Sequence, residues 1–125
     1  EAARLCGAWE TGRDAFRKAL TVNQGKSTSW RGLGLCLIGT GEFDEAVKAL
    51  SRALSMDPKD GAALLKLAEA QAGAGQMEAA LASASRAADL MPDEAGARNN
   101  FGVLLLQAGE ADKAVAELEA AVEEE

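Results

Sequence analysis

The chain has 125 residues, of which 48% are hydrophobic and 26% are charged, and this composition is typical of a single folded domain rather than of a disordered chain. Its formal net charge of −7 argues against binding to nucleic acid, because an acidic surface repels the phosphate backbone. No stretch is long and apolar enough to insert into a membrane, and no signal-peptide pattern is present.

Several kinds of chemistry lack their usual side chains. The sequence contains no histidine, which is the commonest general base and a common metal ligand. Cys6 and Cys36 are the only cysteines, and both fall in apolar segments of predicted helix, so we expect buried, reduced thiols rather than a disulfide or a zinc site. The run GLGLCLIGTG (32–41) lacks the third glycine of a dinucleotide-binding loop, and GKS (25–27) follows Leu20 where a phosphate-binding loop requires glycine. We therefore predict no enzymatic activity, no cofactor and no metal.

A short segment that begins with glycine recurs every 34 residues along the chain. The copies are GAWETG (7–12), GEFDEA (41–46), GQMEAA (75–80) and GEADKA (109–114). Each copy has a small residue in sixth place. A fixed period of this length is typical of repeat proteins, so the period governs the fold prediction.

The elements follow from the repeat in chain order. Residues 1–6 are predicted to be the end of one helix, and the remainder of 1–26 a second helix. In 27–60 the residues Trp30, Leu33, Gly34 and Leu37 share one face of a helix. We expect Gly41 to end that helix in the left-handed conformation, and Pro58 to stop the helix that follows.

The same plan continues through 61–94 and 95–125, with Gln71 and Met77 standing at two positions where an aromatic residue is expected. Each unit is therefore predicted to be an antiparallel helix hairpin, which gives about seven helices in all. Small residues recur at one position near the end of every unit, where we expect two helices to approach closely: Ala19, Ala53, Ala87 and Ala121.

The pattern W-x2-L-G-x2-(large apolar), then G-x-(aromatic)-x-x-A, then A and P resembles that of the tetratricopeptide repeat. The unit at 27–60 carries it most completely, in Trp30, Leu33, Gly34, Leu37, Gly41, Phe43, Ala46, Leu50, Ala53 and Pro58. The resemblance implies an all-α, right-handed α-solenoid that forms one domain over 1–125. Its units are a partial repeat at 1–26 (mainly the second helix), repeats at 27–60 and 61–94, and a nearly complete repeat at 95–125.

The resemblance also places the functional surface. Stacked hairpins have a concave side, which in the resembled family is lined by the first helix of each unit. The predicted groove residues are Thr28, Arg31, Leu35, Ile38, Leu65, Lys66, Glu69, Asn99, Asn100, Val103 and Leu106. The apolar members lie partly off the packing face, so they either meet a partner or are covered by the neighbouring helix. Likewise, the Asn99–Asn100 amides either hold a peptide backbone or satisfy a neighbouring helix.

Some members of the resembled family grip a C-terminal carboxylate in this groove. The matching places hold Arg31, Leu35, Ala62, Lys66 and Asn100, so most of that clamp is missing. The groove is predicted to be mostly apolar, which suits an amphipathic helix or an extended apolar peptide.

The leading functional prediction is a non-enzymatic scaffold that binds a protein or peptide segment in its concave groove. One alternative is the recruiting arm of a larger enzyme, since the chain begins inside a repeat and is expected to be part of a longer protein. Another is a module that self-assembles through its solenoid ends, because 1–26 is net basic and 95–125 is net acidic. The reduced thiols favour a cytoplasmic location, with a signal upstream of residue 1 left open.

Overall fold

A computed structural model describes residues 2–109 and 111–124 of the chain, and the side chains of 7–109 and 116–123. These residues form seven α-helices with short connections and no strand. The helices are α1 (Ala2–Val22), α2 (Ser27–Gly39), α3 (Phe43–Met56), α4 (Gly61–Gly73), α5 (Met77–Leu90), α6 (Ala95–Gln107) and α7 (Ala111–Glu124). The predicted all-α architecture with seven helices is confirmed.

The turns inside the hairpins are built on glycine. Gly41, Gly75 and Gly109 have φ angles of 81°, 83° and 84°, the left-handed region that residues with a Cβ rarely adopt. At the first of these turns the amide of Glu42 donates to the carbonyl of Leu37 (2.8 Å) and the amide of Gly41 to that of Ile38 (3.0 Å). These bonds satisfy carbonyls that the helix end leaves without a partner. The predicted role of Gly41 is confirmed.

Gly7 differs from the other three glycines, and the prediction of a helix end in residues 1–6 is wrong. α1 runs from Ala2 to Val22 without a break, so Gly7 continues the helix. A break would cost a set of helical hydrogen bonds, and a helix of six residues is too short to offset that cost by packing.

The connections that follow α3 and α5 each contain a proline. α3 ends two residues before Pro58 and α5 two residues before Pro92, as the sequence predicts. The carboxylate of Asp60 then caps α4, because its Oδ1 accepts a hydrogen bond from the amide of Ala63 (3.1 Å).

The helices stack into a curved solenoid. Each helix packs against the next one in sequence. In addition, α2 contacts α4, and α4 contacts α6. Among the described residues the backbones of α1, α3, α5 and α7 do not pack against one another, although the side chain of Arg17 on α1 reaches Glu45 on α3. The stack is therefore curved, with α2, α4 and α6 on the concave side and the other helices on the convex side.

Small residues allow the close packing between the helices. Ala53, Ala87 and Ala121 are buried, as predicted. Ala19 is exposed, so the prediction of a close approach there is wrong. Its neighbour Leu20 is buried instead, so α1 turns Leu20 and not Ala19 toward α2, the one helix whose backbone packs against α1 among those described.

The interior is mostly apolar, with one polar pair. Large buried side chains include Leu37, Leu50 and Leu64. Gln71 stands at the position that Leu37 holds in the preceding unit, and its Oε1 accepts a hydrogen bond from Ser83 Oγ (2.7 Å). The bond joins α4 to α5 and satisfies two polar groups that burial would otherwise destabilise. No helix in the described part of the chain has the length and apolar character needed to cross a membrane.

Candidate functional site

The concave side carries a groove that three helices of the solenoid form together. A cavity of about 460 Å³ lies in it, between the C-terminal halves of α2, α4 and α6. Its lining consists of Ile38, Phe43, Glu69, Ala72, Gly73, Asn100, Val103, Leu104 and Gln107. Glu69 is the only one of these residues that carries a charge, so the cavity presents apolar surface with amide groups at its edge.

Four of the predicted groove residues meet in this cavity: Ile38, Glu69, Asn100 and Val103. Val103 is 40% exposed, and Leu106, one helical turn further along α6, is 48% exposed. Large apolar side chains are normally more buried than this, so α6 presents an apolar strip to solvent on the concave side.

The other predicted apolar residues are less available. Ile38 packs against the hydrophobic core and is therefore partly covered within the protein, which is one of the two alternatives given for the apolar groove residues. Leu35 and Leu65 are also half-buried. Thr28 and Asn99 are exposed but lie outside the cavity, and Asn99 borders a smaller cavity of about 160 Å³ between α6 and α7.

Both predicted cations of the groove are already paired. Arg31 donates from its guanidinium to Asp60 Oδ2 (2.7 Å), which ties α2 to the start of α4. The ammonium of Lys66 lies 3.4 Å from Glu69 Oε1, one helical turn further along α4. The Asp60 carboxylate is nearly buried and holds Arg31 firmly, whereas the Lys66–Glu69 pair is half-exposed and contributes little. The groove is therefore close to electrically neutral.

The sequence-based list of groove residues did not include Phe43, which was identified only as the aromatic position of the repeat, or Leu104. Phe43 begins α3, yet its ring reaches the cavity because it lies against the backbone of Gly73 at the end of α4. The recurrence of an aromatic residue 30 positions before a glycine was the available signal, since Trp9 and Gly39 form the same pair one period earlier.

The described residues show no group of three potential metal ligands. Cys36 is buried and free, as predicted, and its burial raises the pKa of the thiol. Its Sγ packs next to Gly12, where a Cβ would lie 2.7 Å away. The side chain of Cys6 lies outside the described residues.

The chain belongs to the tetratricopeptide-repeat family. One family model of this repeat matches residues 7–60 and 65–125, and a second matches 37–87. The chain is accordingly a protein-interaction scaffold in general terms, because repeats of this family bind protein partners and are generally non-catalytic. A search of curated protein sequences gave no significant match.

Solved structures with the same fold include two of MamA and one of YrrB. MamA from Desulfovibrio magneticus RS-1, beginning at its residue 41, superposes with a TM-score of 0.89 and 19% identity over 98% of this chain and 75% of that chain. A double mutant of RS-1 MamA superposes with a TM-score of 0.89 and is 20% identical in sequence. The match covers 94% of this chain and 66% of that chain. YrrB superposes with a TM-score of 0.86 and is 24% identical, over 95% of this chain and 61% of that chain. It is described as a tetratricopeptide-repeat protein with an unusual peptide-binding site. The chain thus spans 61% to 75% of the length of these solved chains, and identities this low support the fold alone.

Proposed function

We propose that this protein is a scaffold that binds a segment of a partner protein in its concave groove. The observation that carries the proposal is the exposed apolar strip of Val103 and Leu106 beside the cavity of about 460 Å³. A cavity of this size accepts a large apolar side chain, and such anchors supply most of the affinity in complexes of this kind.

The polar groups at the edge of the cavity suit a peptide backbone. Asn100 and Gln107 each offer an amide N–H and an amide oxygen, so each can donate to a carbonyl and accept from a backbone N–H. Both cations that the sequence placed in the groove are paired, Arg31 with Asp60 and Lys66 with Glu69, so neither is poised to grip a terminal carboxylate. The expected ligand is therefore an internal segment, either an amphipathic helix or an extended apolar peptide, rather than a chain end.

A selection from a displayed library of random peptides of about twelve residues tests the proposal. Peptides recovered on the parent are then titrated against Val103→Asp/Leu106→Asp, which places two charges on the apolar strip. The control is Val22→Asp/Leu90→Asp, which adds the same charge at side chains that are 88% and 40% exposed and lie outside the cavity. The proposal predicts that binding is lost in the first variant and kept in the control. Equal binding to both variants contradicts it.

Self-assembly is a competing proposal that one surface feature favours. Val122 lies with Leu118 at an open cavity of about 440 Å³ on α7, at the C-terminal end of the described stack. Sedimentation of the chain at two concentrations separates the proposals, because a chain that is monomeric at both concentrations does not assemble through this surface. The third alternative, a recruiting arm, requires a catalytic domain elsewhere in a longer protein.

A further inference from the structure

A second cavity lies on the opposite face of the solenoid, where α1 and α3 diverge over α2. It has a volume of about 500 Å³. Its lining consists of Gln24, Trp30, Leu33, Leu37, Glu45, Lys48, Ala49 and Arg52. None of these residues belongs to the concave groove, so this convex crevice is independent of the site described above.

The crevice has an apolar floor and one aromatic wall held in place. Leu33, Leu37 and Ala49 form the floor and are themselves buried. The indole Nε1 of Trp30 donates to the carbonyl of Gln24 (2.9 Å), and the guanidinium of Arg52 lies 5.7 Å from the centre of the ring. Both contacts fix the ring, and the second also holds a cation at the rim of the crevice.

The rim is positively charged although the chain as a whole is acidic. Glu45 is neutralised by Arg17, whose guanidinium lies 2.5 Å from its Oε2. Lys48 forms no ion pair within the described part of the chain, and Arg52 is engaged only by the Trp30 ring there. Lys48 and Arg52 therefore carry uncompensated charge next to an apolar floor.

The corresponding crevices of the later units lack this combination. In the second unit Ala82 replaces Lys48, and the hydrogen-bonded pair of Gln71 and Ser83 occupies the floor. In the third unit a crevice of about 490 Å³ is lined by Ser85, Ala88, Asp89, Pro92, Arg98, Phe101, Glu117 and Ala120, which include two carboxylates. The basic, apolar character is thus a property of the first crevice among those described, and it does not follow from the repeat architecture.

We infer that the convex crevice docks a segment of a partner protein in which a large apolar side chain lies next to acidic residues. The apolar side chain enters between Trp30 and the leucine floor, and the carboxylates face Lys48 and Arg52. Charge complementarity favours an acidic partner segment. A basic segment would be repelled by both cations, and a neutral segment would leave them without a partner. A scaffold with this crevice and the concave groove can hold two segments on opposite faces.

The test uses Val103→Asp/Leu106→Asp as bait, so that the concave groove does not contribute. Peptides of about twelve residues are selected from a random displayed library and titrated in a Trp9→Phe background, where Trp30 is the only tryptophan and reports on the crevice. We expect the recovered peptides to carry aspartate or glutamate beside a large apolar residue, and peptides without tryptophan are used in the titration so that Trp30 is the only reporter. Binding is expected to fall about ten-fold or more in Lys48→Glu/Arg52→Glu.

The matched control is Lys59→Glu/Arg86→Glu, which makes the same charge change at exposed residues outside the crevice. Arg86 is the counterpart of Arg52 in the second unit, and the control is expected to bind as the parent does. Circular dichroism checks that both variants are as helical as the parent. Failure to recover any peptide, peptides without acidic enrichment, or equal losses in the two charge-reversal variants would each overturn the inference without bearing on the concave groove.

Discussion

The ring of Phe43 lies so close to the backbone of Gly73 that a Cβ on the glycine would be 2.5 Å from Cδ1 of the ring. Trp9 and Gly39 form the same contact one period earlier. In both pairs the aromatic side chain belongs to one unit and the glycine ends the first helix of the next. The contact therefore fixes how successive units stack, and at Phe43 it also shapes the wall of the concave groove.

Gly73→Ala is expected to destabilise the protein by about 1–2 kcal/mol. Alanine favours helix by about 1 kcal/mol in an interior position, but Gly73 is the last residue of α4, so overpacking against the ring dominates. Denaturant unfolding measures the change. Gly7→Ala is the control, because no described side chain lies within 4 Å of a Cβ built there inside α1, and it should stabilise by about 0.5–1 kcal/mol. A Gly73→Ala protein as stable as the parent would contradict the stacking role.

Ser83→Ala should cost about 1–3 kcal/mol, because it leaves the side-chain oxygen of Gln71 without its buried partner. The double variant Gln71→Leu/Ser83→Ala copies the Leu37 and Ala49 of the preceding unit, and should recover to within about 1 kcal/mol of the parent. Equilibrium unfolding of the parent, the double variant and the two single variants, Ser83→Ala and Gln71→Leu, gives the coupling between the two side chains. If the double variant were less stable than Ser83→Ala alone, this explanation would be wrong. The hydrogen-bonded pair would then add to the free energy of unfolding beyond what an apolar pair provides.

Asp60 has two separable roles, as the cap of α4 and as the partner of Arg31. Asp60→Ala removes both and is expected to destabilise by about 1–2 kcal/mol. Asp60→Asn keeps a capping oxygen and loses only the charge, so its cost should stay below about 1 kcal/mol. Thermal or denaturant unfolding distinguishes the two variants. Equal losses would mean that the ion pair, and not the cap, is the dominant contribution.

Glu42 makes the stability of the first turn depend on pH. Thr40 Oγ1 donates to Glu42 Oε2 (2.6 Å) and Arg13 donates to the same oxygen (2.8 Å), and these bonds lower the pKa of the carboxyl below its ordinary value. Because the folded-state pKa is depressed, the stabilisation is present above the ordinary pKa and is lost as the pH falls through the folded-state value. Glu42→Gln should therefore be less stable than the parent at neutral pH and approach it at about pH 3. A difference in unfolding free energy that does not change between these pH values would contradict this explanation.

The repeat made most of the fold predictable from the sequence. Gly41 and its counterparts, the prolines that follow α3 and α5, and the buried alanines are set by local backbone preferences and by residue size, which the period displays directly. Gly7 and Ala19 were predicted wrongly because the period shows which residue type stands at a position and not whether a neighbouring helix covers it. In α1 it is Leu20, and not Ala19, that is buried against α2.

The groove was predictable only in outline. Positions on the concave side follow from the register, and Ile38, Glu69, Asn100 and Val103 do meet in one cavity. The pairing of Arg31 with Asp60 depends on side-chain conformations across two units, which helical periodicity does not encode. The convex crevice was missed for the same reason, since Trp30 and Arg52 each read as an ordinary position of one helix until the hairpin brings them together.

Binding in the concave groove can be measured by amide hydrogen exchange of the chain with and without a peptide selected on the parent. We expect slower exchange in α4 and α6, and most of all in 99–107, because a segment seated in the groove shields these helices and restrains their opening. A control titration with Val103→Asp/Leu106→Asp should show no such slowing. Slower exchange in α3 and α5 with no change in α4 and α6 would contradict binding in the concave groove.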